Sequence, residues 1–430
     1  MRDINRVLKE LRNFLILWST QSFSALGSSM TNFALVVWSY QEKGSALTTA
    51  LLSICSYAPY VLMSIFAGAL SDKWDKKKTM LICDSFAALC TVVVLVLLQT
   101  GRLKIWHLYI LNAMNGLMNT VQQPASDVAV SLLTPKEHYQ KVSGMRSFSS
   151  SLISIATPVA ATALLALVNL QAVIIFDLVT FAAAFLSLAL VIKIPSVRRE
   201  NQETEPVLKA AISGLRYLAD NRGILHLILF LAAINFTASI FEAAMPAMLL
   251  SKCGGSSNAL GLVNAFSGIA MLAGSVAVSV MPAPKSRVRV ICNTLLVSMS
   301  TENFLLALGS SVPVWCIGSI LGWISIPMMN ANMDVLFRSY IPITMQGRVY
   351  SARNTLQFFT IPLGYFAGGI LVDRVFEPFM AGMLPGSIWS GLFGEGKGSG
   401  AALLFMIIGV IGVLTCLIFR KDRHIWKLEE

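Results

Sequence analysis

The chain has 430 residues, of which 55% are apolar and only 13% are charged, and its formal net charge is +11. Soluble globular proteins carry about twice that charged fraction, so the composition excludes them and indicates an integral membrane protein. The seven scattered cysteines are odd in number and do not predict a disulfide framework.

Apolar runs of bilayer-spanning length recur along nearly the whole chain. A hydrocarbon core of about 30 Å needs about 20 mostly apolar residues per helix. The runs are continuous rather than alternating, which favours helices over a β-barrel. We therefore predict an all-α membrane protein with twelve transmembrane helices in two pseudo-symmetric six-helix halves. The predicted spans are 14–40, 47–70, 79–99, 106–133, 142–168, 172–191, 225–250, 260–281, 290–308, 315–340, 349–372 and 401–419.

Lys and Arg residues are concentrated in alternate loops. If the N-terminus is cytoplasmic, 27 of the 33 lie on the cytoplasmic side, as the positive-inside rule requires. An even number of spans returns the C-terminus to that side. We expect a multi-pass protein of the plasma (inner) membrane, bacterial, with both termini cytoplasmic. Since membrane insertion explains the positive charge, we expect no nucleic-acid partner.

The longest polar interruption separates spans six and seven. It predicts an N-terminal half of residues 1–193, a cytoplasmic linker of residues 194–222 and a C-terminal half of residues 223–430. Apolar residues of the linker recur at helical spacing and predict an amphipathic helix at the membrane interface, with partner binding as the alternative. These residues are Leu208, Ala211, Ile212, Leu215 and Ala219.

A weak internal repeat relates the two halves. Spans four and ten both end in Asp-Val, six further residues and Pro, starting at Asp127 and Asp334. Each repeat leads into a Gly with a nearby Arg. These pairs are Gly144 with Arg146 and Gly347 with Arg348. The matching positions indicate that the halves are homologous, as in many transporters.

A tight charged loop joins spans two and three. Gly68 permits close helix contact, Asp72 can face a helix N-terminus or a cation, and Lys73, Lys76 and Lys77 hold the turn in water. A generic positive-inside loop explains the lysines but not Gly68 together with Asp72. The segment resembles the Gly-x-Leu-Ala-Asp-Arg-x-Gly-Arg-Lys motif of the major facilitator superfamily.

Further short sequence segments, spread over nearly the whole chain, resemble the macrolide-efflux branch of that superfamily. They are segments 43–46, 59–60, 75–84, 133–137, 174–177 and 347–349. The resemblance implies a secondary active transporter that rocks two halves about a midplane site lined by helices one, four, seven and ten. It implies export of an amphiphilic compound, such as a macrolide-like drug or a secreted metabolite, by proton antiport.

The chain also departs from that pattern. Many proton-driven exporters of the superfamily carry an Arg in helix four, where this chain has Asn115. The Gly-rich antiporter signature of helix five is reduced to residues 156–161, in which Pro158 can still bend the helix. The direction of transport therefore rests on the resemblance.

Ionisable residues deep in spans are functional candidates because an unpaired charge in a bilayer is costly. Glu242 lies in span seven, away from both predicted membrane faces, and is our candidate proton or cation site. The alternative is a carboxyl hydrogen-bonded to a neighbouring helix. We expect Asp177 and Glu302 to be structurally paired. Salt bridges at gates or loops are expected for Asp84, Asp127 and Asp334, with loop lysines and Arg338 as partners.

The cavity-lining helices also carry uncharged polar residues among aromatics and methionines. The candidate substrate residues are Gln21, Asn115, Asn119, Gln122, Asn235, Trp323 and Asn330. That mixture suits a large amphiphilic ligand. The alternative is that these side chains hydrogen-bond between helices.

Other functional motifs are missing or imperfect. Residues 391–397 follow phosphate-loop spacing, but Gly398 replaces the required Ser or Thr, so we expect no nucleotide. The four histidines lack metal spacing, and no catalytic constellation is evident. We therefore expect a non-enzymatic monomer without cofactor, driven by the proton gradient. The alternatives are a lipid or lysolipid flippase and a non-transporting receptor or assembly subunit.

Overall fold

The structure is a computed structural model that describes residues 10–135, 138–195, 207–253, 257–282 and 284–429. In several places, including 64–73 and 343–348, only the backbone is described. The described residues form helices joined by short loops and contain no strand, which confirms the predicted all-α class.

Six helices correspond to the predicted spans of the N-terminal half. They are α1 (Arg12–Lys43), α2 (Ala46–Lys73), α3 (Lys76–Gln99), α4 (Ile105–Leu133), α5 (Tyr139–Leu167) and α6 (Leu170–Leu186). Side-chain caps fix two of their starts. Asp75 accepts the backbone N–H of Lys78 at α3, and Asn169 accepts that of Ala172 at α6. A π-helical turn, Ser187–Val191, extends α6.

The linker ends in α7 (Val207–Asp220), whose Leu218 is buried while Ile212 and Leu215 remain exposed. An apolar surface left uncovered by protein is typical of a helix at a membrane interface. Three long helices follow. They are α8 (Arg222–Lys252), α9 (Asn258–Val280) and α10 (Arg287–Leu308).

The predicted tenth span is interrupted rather than continuous. It consists of α11 (Val312–Trp323) and α12 (Ile326–Tyr340), with Ile324 and Ser325 between them. Pro327 in the first turn of α12 explains the interruption, because it has no N–H to donate to the carbonyl of Trp323 four residues earlier.

The remaining helices complete the C-terminal half. They are α13 (Ile343–Phe358), α14 (Thr360–Ile370) with a π-helical turn at Leu371–Phe376, α15 (Glu377–Ala381), α16 (Ile388–Phe393), α17 (Ser399–Arg420) and α18 (Arg423–Trp426). The predicted eleventh span thus contains α13, α14 and the π-helical turn.

Ten segments of the described chain are long and apolar enough to cross a membrane. The two predicted spans that fall short of this hydropathy are α1 and α4. Four of the seven candidate substrate residues lie on these helices, namely Gln21, Asn115, Asn119 and Gln122. Polar side chains lower the mean hydropathy of a helix, as expected where its face meets water or a polar ligand rather than lipid.

The chain divides into two compact units. The first comprises Met1–Leu35 and Cys55–Val207, and the second comprises Val36–Ile54 and Leu208–Glu430. The second unit therefore includes the end of α1 and the start of α2. Its main apolar core contains Ile228, Phe230 and Phe337, each at most 1% exposed.

Candidate functional site

The predicted proton or cation site, Glu242, lies on α8 within the second unit. Most residues around it on this helix are buried, whereas Glu242 itself is partly exposed. The described residues place no cation against its carboxylate. The neighbouring helix α10, whose Met299 Sδ lies 3.9 Å from Thr237 Oγ1 of α8, carries a second carboxyl, Glu302, on which the charge of Glu242 acts. Such a group can bind a proton or a cationic ligand.

Glu302 on α10 is only 6% exposed. Its carboxylate accepts a hydrogen bond of 2.9 Å from the indole Nε1 of Trp323, at the end of α11. Gly322 leaves the room for this, because a Cβ there would lie 2.5 Å from Glu302 Oε2. Trp323, predicted as a substrate residue, is thus held by a carboxyl that we expected only to be structurally paired.

Two candidate substrate residues and Asp84 come together in the first unit. Asp84 on α3 is 7% exposed and accepts hydrogen bonds from Gln21 Nε2 at 3.4 Å and from Gln122 Nε2. Its partners are therefore amides on α1 and α4 rather than loop lysines. On the same helix as Gln122, Asn115 has a buried Oδ1 with no partner among the described residues, and Asn119 is exposed.

The remaining candidate substrate residues lie in the second unit. Asn235 Nδ2 donates to the carbonyl of Gln357 at 3.3 Å, which joins α8 to α13. Asn330 is exposed on α12. The substrate candidates of each unit lie on separate helices, and some of their polar atoms already bond to protein, so their role in substrate binding stays a prediction.

Other predicted carboxylates have short-range partners. Asp127 on α4 pairs with Arg146 on α5 at 2.6 Å, beside a recess of about 450 Å³. Asp177 accepts the Ser28 hydroxyl at 2.9 Å. Asp334 is exposed, and its charge acts on Arg353.

The gate motif is described only in part. Lys77 Nζ donates to the carbonyls of Ala189 at 3.0 Å and Ile192 at 2.8 Å, where the segment after α6 ends. Lys76 begins α3. The side chains of Asp72 and Lys73, the surroundings of Gly68, and those of Arg338, Gly347 and Arg348 lie outside the described part, so their proposed roles stay predictions. Pro158 lies inside α5.

Two residues missed by sequence reasoning have well-defined surroundings. Asp373, in the π-helical turn after α14, accepts the Ser45 hydroxyl at 2.6 Å and the backbone N–H groups of Ala46 and Leu47 at 2.9 Å each. It therefore caps α2. Arg353 on α13 stacks over Phe337 and Tyr350. The sequence signal for Asp373 was an acidic residue directly after span eleven, which does not reveal its distant partner.

The chain is similar in sequence and in fold to known membrane transporters. The profile of the Major Facilitator Superfamily matches residues 17–365. Macrolide efflux protein A of Streptococcus pyogenes is 23% identical over 366 residues, covering 84% of this chain and 90% of that protein. The staphyloferrin A transporter of Staphylococcus aureus is 22% identical and covers 87% of each chain. The crystal structure of a nucleoside transporter superposes with a TM-score of 0.71 at 14% identity, over 95% of this chain and 99% of that one.

The family match and the ten long apolar helices of the described chain define a multi-pass membrane protein of a transporter family, which is a non-enzymatic class. The chain belongs to the Major Facilitator Superfamily. Among the described residues, no three His, Cys, Asp or Glu side chains come together in a way that could hold a metal ion.

Proposed function

We propose that this transporter exports an amphiphilic small molecule, such as a macrolide-like drug or a secreted metabolite, in exchange for protons. Glu242 is the proposed proton or cation site. The transporter works as a monomer without cofactor in a bacterial plasma membrane, with both termini cytoplasmic.

The observation that carries the proposal is the setting of Glu242. It is a partly exposed carboxyl on a largely buried transmembrane helix, near a second carboxyl and without a described cation. A carboxyl in such surroundings changes its charge when it binds or releases a proton, and a protonation change inside the membrane is what coupling to a proton gradient requires.

The substrate class is supported by the uncharged polar residues and by the relatives. The first unit carries amide groups on α1 and α4, and the second carries amide and indole groups on α8, α11 and α12. Such groups suit a ligand that is partly polar and partly apolar. Several relatives at 23% identity are macrolide efflux proteins by name, which supports this class of substrate without fixing the compound.

The test is transport by the purified full-length protein in proteoliposomes with an imposed pH gradient. The panel is radiolabelled erythromycin, ethidium and a labelled lysolipid. We expect gradient-dependent movement of erythromycin or ethidium, and Glu242→Gln should abolish the dependence on pH. Glu395→Gln is the matched control, because Glu395 is exposed in the loop after α16.

Each outcome of this panel separates the candidate functions. Unchanged pH-driven flux in Glu242→Gln contradicts the role of that residue. Movement of lysolipid alone supports a flippase, and absence of any flux supports a non-transporting receptor or assembly subunit.

A further inference from the structure

Glu302 is a buried carboxyl outside the proposed proton site. It is separated from the Arg287 end of α10 by about 22 Å of helix. At 6% exposure, an ionised carboxylate there has lost nearly all contact with solvent. Removing a charge from water is energetically costly unless another group compensates it.

The helices packed around α10 supply no described cation near Glu302. Their titratable residues are Cys416 and Arg420 on α17, Cys316 on α11, Asp334, Arg338 and Tyr340 on α12, and Arg222, His226, Glu242 and Lys252 on α8; α16 has none. Arg287, Arg289 and Arg420 lie at helix ends, and Arg420 acts electrostatically on Cys292, ten residues before Glu302. The side chain of Arg338 lies outside the described part.

Glu242 lies on α8, which contacts α10 about one helical turn away, where Thr237 Oγ1 lies 3.9 Å from Met299 Sδ. From this neighbouring helix its charge acts on Glu302. Two carboxylates whose charges interact do not ionise independently, so a proton bound by one changes the proton affinity of the other. Glu242 is only partly covered by protein, whereas Glu302 is almost completely enclosed. The pair therefore has a less enclosed and a more enclosed member.

The described hydrogen bond to Glu302 is donated by Trp323, the last residue of α11 before the helix interruption. Trp323 donates to the carboxylate with Nε1. Its own backbone carbonyl receives no hydrogen bond from residue 327, because Pro327 has no N–H. Two more contacts fix the residues between α11 and α12. Ser325 Oγ donates to the Thr294 carbonyl of α10 at 3.2 Å, and Gly274 lies directly against the Ile324 carbonyl.

A hydrogen bond to an ionised carboxylate is stronger than one to its neutral form. Loss of the Glu302 charge therefore weakens its bond to Trp323, at a place where Pro327 removes one backbone hydrogen bond of the helix. Interrupted transmembrane helices are typical of moving parts and binding sites in transporters.

We propose that Glu302 is the second proton-binding carboxyl of this transporter, paired with Glu242, and that Trp323 couples its protonation to the interruption between α11 and α12. This inference rests on the proposed proton exchange. Glu242 takes a proton from water, the pair shares it, and release of the proton restores the full bond between Glu302 and Trp323.

The pair is tested by infrared difference spectroscopy of the full-length protein in lipid nanodiscs, with the protonated carboxyl signal followed against pH. We expect Glu302→Gln to remove one titration step and to move the midpoint of the Glu242 step by about one pH unit, the coupling at which two sites titrate together. Asp177→Asn, a buried carboxyl of the first unit, should remove its own step and leave the others in place.

An unmoved Glu242 step in Glu302→Gln would overturn the pair. If Glu302→Gln does not fold, the titration of Glu302 is measured in Glu242→Gln instead. An unmoved midpoint of the Glu302 step in that variant would also overturn the pair. The relay is tested by tryptophan fluorescence. We expect the pH-dependent part of the emission over the Glu302 step to be lost in Trp323→Phe, and its persistence would overturn the role of Trp323.

Flux in proteoliposomes separates this inference from the proposed function. If wild-type protein moves neither erythromycin nor ethidium, proton-coupled export fails, while the carboxyl titration still decides whether the pair exists. If wild-type protein moves a probe and Glu302→Gln retains the full pH dependence, Glu302 is not part of the coupling.

Discussion

Single carboxylates hold several helix starts in the second unit. Asp373 caps α2, and Glu377 accepts the N–H groups of Gly398 and Ala401 at the start of α17. Glu429 does the same at α10, where it accepts the N–H of Val288 at 2.7 Å. The first turn of a helix leaves N–H groups without partners and carries partial positive charge, so a carboxylate there supplies hydrogen bonds and favourable electrostatics together.

Asp373→Ala should destabilise the second unit. The substitution removes three hydrogen bonds at the start of α2, and loss of such a cap costs about 1–2 kcal/mol, which corresponds to a fall of about 2–8 °C in melting temperature for a unit of this size. The apparent melting temperature of purified protein in detergent measures this. Asp373→Asn is the control, because an amide oxygen still caps and should retain most of the stability. Equal melting of Asp373→Ala and wild type would show that the cap contributes nothing.

A second residue-scale prediction concerns Asp422, beyond the last transmembrane helix. Burial alone would raise the pKa of Asp422, but the hydrogen bonds from the His226 ring at 2.6 Å and the His424 N–H at 2.8 Å, with the charge of both imidazoles, lower this pKa below its ordinary value of 3.8. A carboxyl with a lowered native pKa stabilises the fold above its unfolded-state pKa and loses this contribution as the pH falls through the native value.

Asp422→Asn should therefore lower the apparent melting temperature at neutral pH, and the difference from wild type should narrow below about pH 4. A partly exposed pair of this kind contributes about 1 kcal/mol. Asp220→Asn on exposed α7 serves as the control and should have little effect at any pH. A difference that stays constant down to acid pH would mean that the charge of Asp422 does not contribute.

At the scale of helices, glycines set the closest approach in the second unit. Gly364 and Gly368 are four residues apart on α14 and face α8, in the small-residue spacing typical of tightly packed transmembrane helices. A Cβ on Gly364 would lie 2.6 Å from the carbonyl oxygen of Phe236, and one on Gly368 would lie 2.9 Å from that of Ile240. Backbone atoms on the facing helix leave no side chain that could move aside.

Gly364→Ala and Gly368→Ala should each cost about 1–3 kcal/mol, because the two helices must separate to admit the methyl group. Apparent melting temperatures and the yield of monodisperse protein report the loss. Gly391→Ala is the control in the same unit: nothing lies within 4 Å of a Cβ there, and alanine favours the helix. Melting temperatures of both interface variants equal to that of Gly391→Ala would contradict close packing of α14 against α8.

The elements also show what the sequence can and cannot predict. Apolar length is a local property, so all twelve predicted spans correspond to helices within the described residues. The interruption at Trp323 was readable from Pro327, although the apolar run across it continues. The bond of Trp323 to Glu302 and the cap of Asp373 on α2 join residues far apart in the chain, and no local pattern records which distant partner each side chain meets.

For the whole molecule, the distribution of Lys and Arg residues predicts the orientation of the chain in the membrane. With the N-terminus inside, 27 of the 33 Lys and Arg residues lie in segments that stay in the cytoplasm. Insertion in the opposite sense would carry most of these charges across the membrane, which the positive-inside rule disfavours. The same bias appears in both halves, so each half independently favours one orientation.

Fusions to the full-length chain in bacterial cells should therefore report opposite sides at two positions. Green fluorescent protein at the C-terminus should fluoresce, and alkaline phosphatase at the C-terminus should be inactive, because that end remains in the cytoplasm. Alkaline phosphatase inserted at Glu395, in the exposed loop before α17, should be active outside. One helix, α17, separates the two sites, so each fusion controls for expression of the other. Active phosphatase at the C-terminus together with an inactive insertion at Glu395 would reverse the orientation and place the basic loops outside.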